Sequence, residues 1–145
     1  MNKKTQVQAI REVFQFGIGV IFLVSIFYFL YNFLIPQIQD YALGLQLKNV
    51  AEHANYLISE FYKSSSQSLS SFAEGKYLMP EKLGDYSYSV FFSGNEICSL
   101  IQDLNIERCV FVLIDSSYQG FFYSGGEMKI SINYTESSSS IMIGN

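Results

Sequence analysis

The sequence predicts an α+β fold: a long N-terminal transmembrane and amphipathic helix followed by a small antiparallel β-sheet or sandwich head. Three observations predict it. The 23 residues from Val13 to Ile35 carry no charge. Past Pro36, apolar residues recur at helical spacing. From Met79 on, short runs of β-forming residues alternate with turn signals.

The apolar run comes first in the chain. As a helix rising about 1.5 Å per residue it would measure roughly 34 Å, enough for the roughly 30 Å of hydrocarbon in a bilayer. Its polar members, Gln15, Ser25 and Asn32, are uncharged. A buried helix of a soluble protein is rarely apolar around its whole circumference for six turns. A secretory signal has a shorter apolar core followed by a small-x-small cleavage site, and here Pro36-Gln37-Ile38 follows instead. Lys3, Lys4 and Arg11 precede the run, and no basic residue follows it until Lys48. The positive-inside rule therefore predicts a single-pass protein of the cell membrane, with a cytoplasmic N-terminus and an extracytoplasmic C-terminal domain. Tyr28 and Tyr31 fall near the outer end of the span, where amphipathic rings favour the interface.

Beyond Pro36, which lacks an N–H and kinks or restarts a helix, Leu43, Leu47, Val50, Ala54, Leu57 and Phe61 form a stripe at intervals of four and three. That is one face of an amphipathic helix. The face suits either the chain's own β domain or a neighbouring subunit, and spacing does not choose between them. Ser64 to Ser71 then reads as a linker or turn, and the second serine run, Ser137 to Ser140, as a loose tail segment. Tyr86 to Phe92 alternates like a strand, Ser93-Gly94-Asn95 signals a turn, and Cys109 to Ile114 is a continuous apolar run. Gly120 to Ser124 and Met128 to Tyr134 read as two strands around a glycine turn. The chain thus divides into a basic leader and helix start (1–12), a transmembrane helix (13–35), an amphipathic stalk (36–63), a linker (64–78) and an extracytoplasmic β domain (79–145).

Composition narrows the function. Of 145 residues, 15% are charged and 17% aromatic, with a net charge of −4. A disordered chain is poor in aromatics and rich in charge, and a nucleic-acid binder needs a basic face; neither pattern is present. Motifs for a phosphate loop, a serine nucleophile or a zinc protease are absent from the sequence. His53 is the only histidine, too few for a zinc site built with the two cysteines. Glu81, Asp85, Glu96, Asp103, Asp115, Glu127 and Glu136 are scattered singly, as on a solvated face. The sequence therefore predicts a non-enzymatic protein with no cofactor, no metal and no nucleic-acid partner.

Four features carry specific expectations. Cys98 and Cys109, the only cysteines, face each other if Glu96–Asp103 and Leu104–Val112 form a hairpin with a two-residue loop; they are then either bridged, as the outer compartment permits, or two buried thiols. Asn133-Tyr134-Thr135 fits the glycosylation acceptor pattern, with Asn133 as the acceptor. Glu12, at the inner edge of the span, is either paired with Arg11 at the interface or an assembly contact. Gly17 and Gly19 permit close approach of a second helix.

The layout resembles a family. A basic leader (Met1-Asn-Lys-Lys-Thr5), the stretch Gln6-Val-Gln-Ala-Ile-Arg-Glu12, an apolar helix running into an amphipathic one, and a β-rich head are similar to archaeal type IV pilin-like proteins, which include archaellum components. Met79-Pro-Glu-Lys-Leu-Gly-Asp-Tyr-Ser-Tyr-Ser-Val90 resembles a phrase of such heads: proline, a nearby glycine, then a strand opened by Tyr. The resemblance implies cleavage by a prepilin peptidase between Thr5 and Gln6. It further implies membrane lipid and homo- or hetero-oligomeric partners along the N-terminal helix, and a role as subunit or minor component of a type IV filament or secretion apparatus. Bacterial pilins pair an acidic residue at the fifth position after the cut with a neighbour's amine; Glu12 would be the seventh, and the Gly-Phe-Thr-Leu-x-Glu phrase is absent. The alternative is an uncleaved single-span accessory, stator-like or adhesive, that presents its head to an envelope protein.

Overall fold

The N-terminal third is helical because nothing in it breaks a helix before Pro36. A computed structural model describes residues 3–67, 71–135 and 138–145, with side chains from residue 11 onward. Helix α1 spans Lys3–Phe29, a π-helical turn covers Leu30–Leu34, and α2 spans Ile35–Ser66. The π turn is the local answer to Pro36: the Ile35 N–H reaches back five residues to the Leu30 carbonyl, and the helix runs on through the proline into α2 without a break. The two polar side chains of the outer half are satisfied within the helix. Ser25 Oγ donates to the Ile21 carbonyl at 2.8 Å and Asn32 Nδ2 to the Tyr28 carbonyl at 2.9 Å.

The chain forms two compact units, Met1–Tyr41 and Ala42–Asn145. In the first, every residue from Arg11 to Tyr41 is exposed except the half-buried Gly17. This is the one helix, among the described residues, that is long and apolar enough to cross a membrane, with a mean hydropathy of 2.3 over its best window.

In the second unit, α2 lies on one face of a seven-stranded sheet. The strands are β1 (Phe72–Leu78), β2 (Ser89–Ser93), β3 (Glu96–Ile101), β4 (Ile106–Phe111), β5 (Ser117–Tyr123), β6 (Glu127–Tyr134) and β7 (Ser139–Gly144), in the spatial order β1-β6-β7-β5-β2-β3-β4. The expected stripe meets this sheet: Leu47, Val50 and Ala54 are buried, and Leu43, Leu57 and Phe61 pack against the same core. The partner of the stripe is thus the chain's own domain. Facing it are Val90, Ile97, Phe122, Met128, Ile130, Ile132 and Ile141, all fully buried. Ser99 Oγ donates to the Leu47 carbonyl at 2.7 Å, which seats β3 on the helix. At the far end of α2, Ser65 and Tyr134 share a 2.6 Å hydroxyl contact, and the Tyr62 and Tyr134 rings lie 5.9 Å apart.

The sheet departs from the expectation in three ways. It is mixed, because β5 and β7 run parallel while every other pair is antiparallel. It is one sheet covered by a helix, not a sandwich. And it begins inside the expected linker, since Phe72–Leu78 is strand β1. The inward positions of β1 are Ala73, Gly75 and Tyr77, so the segment lacks the apolar alternation that marks a strand. Small residues suit that position because α2 passes close by: a Cβ on Gly75 would lie 3.0 Å from the Phe61 ring. The parallel pair arises because β7 inserts between β5 and β6, which are joined in sequence through Gly125 and Gly126 but are not neighbours. The loose tail expected at Ser137 to Ser140 instead supplies Ser139 and Ser140 to β7. What holds them there is Ile141 and Ile143, buried to 0% and 5% exposure. Ser68 to Ser70 of the linker, together with Glu136 and Ser137, lie outside the described residues, as do Met1 and Asn2 of the leader.

Candidate functional surfaces

The apolar helix offers the largest candidate surface. Phe14, Phe16, Ile21, Phe22, Phe27 and Tyr31 are each about two-thirds exposed or more. Burying such side chains is worth about 1.5–3 kcal/mol apiece, so this helix has a strong drive to leave water. Thr5 and Gln6, at the expected cleavage, lie on the backbone of α1, with their side chains outside the described residues. Glu12 is exposed. Among the described residues the one ion pair is Lys48–Glu52 at 3.5 Å on α2, so Arg11 and Glu12 do not pair with each other and both present their charges outward.

Cys98 and Cys109 are joined by a disulfide. They stand directly opposite each other on β3 and β4. The connection is longer than a two-residue loop: Gln102–Leu104 form a 3-10 turn, and Asn105 closes it in the left-handed region at φ 52°. Asn tolerates that conformation better than most residues. The pairing register is nevertheless the one that a turn about Asp103-Leu104 gives, because the loop is lengthened symmetrically. Glu96 brings a carboxylate oxygen near the two sulfurs, but a metal needs thiolates, and both sulfurs are consumed in the disulfide.

Asn133 lies on β6, exposed, between Phe72 of β1 and Ser140 of β7. The acceptor motif's Thr135 donates its hydroxyl to the Ser138 carbonyl and accepts from the Ser138 N–H, which shapes the turn into β7. His53 is exposed on α2. Glu81, Asp85, Glu96, Asp103, Asp115 and Glu127 are all exposed as well.

Sequence reasoning did not find the face of the sheet turned away from α2. On it, Phe121, Phe91, Cys98 and Cys109 form one cross-strand row. The Phe91 and Phe121 rings stack with centroids 6.1 Å apart, and Tyr123 meets Phe121 edge-on at 4.4 Å. Beside Tyr123 is a cavity of about 110 Å³ that Ser87, Ser89, Leu100, Gln102 and Asp103 also line. Next to it Tyr88 points the other way, 2% exposed, and donates its hydroxyl to the Pro80 carbonyl at 2.6 Å. Burial pushes that phenol up to about 12, so Tyr88 is a neutral donor at any physiological pH. The signal for this face was present in Phe91-Phe92 and Phe121-Phe122-Tyr123: two large aromatic residues in succession on a strand must point to opposite faces.

No family model, no curated protein and no solved structure matches this chain.

Proposed function

We propose that the chain is a membrane-anchored, non-enzymatic, pilin-like structural subunit or minor component of a type IV filament or secretion apparatus. The observation that carries this reading is the exposed apolar helix ahead of a head whose core is completed by the next helix, α2. Because α2 is already used by the chain's own sheet, the N-terminal helix is the segment left to pack against lipid or against the helices of other subunits. Helices in lipid associate through close packing and polar contacts; Gly17 and Gly19, where an added Cβ would meet nothing within 4 Å, leave room for a neighbour. Glu12 and Arg11, both exposed, would meet the charged end of an adjacent helix.

The cell membrane is the proposed location, with the N-terminus cytoplasmic and the head outside. Lys3, Lys4 and Arg11 on one side of the span and a disulfide on the other support this orientation, since a bridge of this kind persists in an oxidising compartment. An uncleaved single-span accessory presenting the head to an envelope protein is the second reading. It is favoured by one observation: α1 runs as continuous helix across the Thr5–Gln6 bond, and a peptidase acts on extended chain.

N-terminal sequencing of the protein isolated from membranes tests the pair. The subunit reading expects a mature chain that begins at Gln6. A chain that still begins at Met1 overturns processing and leaves the accessory.

A further inference from the structure

We propose that the outer face of the sheet carries a saccharide-binding site, in which one sugar ring enters the cavity beside Tyr123 and further rings of an oligosaccharide lie along Phe121 and Phe91. The chemistry of the lining points to this class of ligand. Tyr123 is 58% exposed and offers a ring face to the apolar C–H side of a pyranose. Around it stand a carboxylate (Asp103), an amide (Gln102) and two hydroxyls (Ser87, Ser89), which together accept and donate hydrogen bonds as a ring of sugar hydroxyls requires. Leu100 floors the same cavity.

Ser89 sharpens the polar part of the lining. The residue is only 5% exposed, and that exposure is toward the cavity it lines. Its hydroxyl is therefore held at one place in the wall, where a ligand hydroxyl can replace the water that otherwise meets it.

Other ligand classes fit less well. An anion has no cation to meet, because no Lys or Arg lines the cavity. Arg108, the basic residue of the neighbouring strand β4, lies on the opposite face, against Gly44 of α2. A metal ion would find a single carboxylate. A purely apolar ligand would strand the polar groups. Asp103, and Glu107 across from Leu100 on the same face, give the site a negative cast, so the geometry selects neutral or amino sugars over uronic acids. Beyond the cavity the rings of Tyr123, Phe121 and Phe91 succeed one another at 4.4 and 6.1 Å between centroids. That spacing is of the order of one sugar repeat, so further rings of a chain have successive aromatic side chains to lie against beyond Tyr123.

The test uses the full-length protein in lipid nanodiscs, which avoids detergents with sugar headgroups. Cellohexaose, maltohexaose, chitohexaose, a glucosamine hexamer and a hexagalacturonate are titrated in, with binding read by calorimetry. At least one neutral or amino-sugar hexaose is expected to bind with a Kd of about 1 mM or tighter, and the galacturonate not to bind. Tyr123→Ala and Asp103→Asn should each weaken binding about tenfold, Tyr123→Phe should retain it, and Leu78→Ala on the distant edge strand should not change it. Should Tyr123→Ala fail to fold by circular dichroism, Asp103→Asn and Tyr123→Phe carry the comparison. The proposal is overturned if no hexaose binds below about 10 mM, or if Asp103→Asn and a folded Tyr123→Ala both bind within twofold of the wild type. The site rests on the head alone, so failure here leaves the processing experiment untouched, and failure there leaves the site.

Discussion

Two residues show how single positions fix the head. Gly120 sits at φ +113°, and a Cβ there would overlap the backbone carbonyl of Ile143; glycine is what lets β7 approach β5 closely enough to pair in parallel. Tyr88 anchors the other side of the core, with its ring 6.5 Å from Phe122 and its hydroxyl on the Pro80 carbonyl. Its folded-state pKa, about 12, lies above the ordinary phenol value of 10.0 because burial disfavours the phenolate. A group raised in this way contributes stability in full below pH 10 and loses it as pH climbs toward 12, because the unfolded chain ionises first. The head should therefore lose stability across pH 10–12, with part of that slope assigned to Tyr88. Thermal unfolding of wild type and Tyr88→Phe at pH 8, 10, 11 and 12 checks it. Below pH 10 the variant should be less stable by about 1 kcal/mol, the worth of one hydrogen bond, and the gap should narrow as pH rises. A gap constant to pH 12 would assign the slope to the other tyrosines. Neither residue's role was legible in the sequence: a glycine in a β-rich stretch reads as a turn or a bulge, and a tyrosine's partner across eight residues depends on a loop path that periodicity does not encode.

At the scale of elements, legibility followed the strength of local pattern. The α2 stripe was readable because six apolar positions repeat with one period, and the β2–β3 turn because Ser93-Gly94-Asn95 places glycine at φ +60° where the hairpin requires it. Strand β1 was hidden because Ala73 and Gly75 make room for α2 instead of filling space, and β7 because its serines mask two buried isoleucines. The saccharide cavity was invisible because its lining comes from three segments, 87–89, 100–103 and Tyr123, which only the sheet brings together. The β3–β4 hairpin is the clearest legible case, since two cysteines eleven apart imply their own register. The bridge lies on the last pair of the sheet, with β4 at the edge. Closing a loop of this size removes unfolded-chain entropy worth about 3 kcal/mol. Reduction, or the Cys98→Ala/Cys109→Ala double variant, should lower unfolding stability by about that amount, as measured by denaturant titration. Because β4 is an edge strand, circular dichroism should still report the helix–sheet core under native conditions. A loss of all structure on reduction would place the bridge at the centre of folding instead of its margin.

For the molecule as a whole, the question is what the exposed N-terminal helix does in water. Soluble proteins rarely expose a contiguous apolar patch beyond a few hundred Å², and here the run from Val13 to Ile35 is exposed throughout apart from Gly17. On the proposed reading such a helix is covered by lipid or by other helices. A charge at its centre separates this from a helix that tolerates water. Val24 is 61% exposed and lies close to the middle of the run. In a bilayer, Val24→Arg places a cation at mid-depth, at a cost of about 2.5–3.5 kcal/mol on insertion scales. It should shift the chain from the carbonate-resistant membrane fraction toward the soluble or aggregated fraction. Lys at the flank is tolerated because its stem reaches the interface, so Val13→Lys should leave partition unchanged. If the helix instead worked in water, Val24→Arg would raise solubility without moving any protein out of a membrane pellet, because none would be there. Fractionation of cells expressing wild type and the two variants, followed by carbonate extraction and detection of the head, decides between these outcomes. The difference between the two positions matters more than either alone, because only a depth-dependent medium makes the same added charge harmless at one end of a helix and disruptive at its centre.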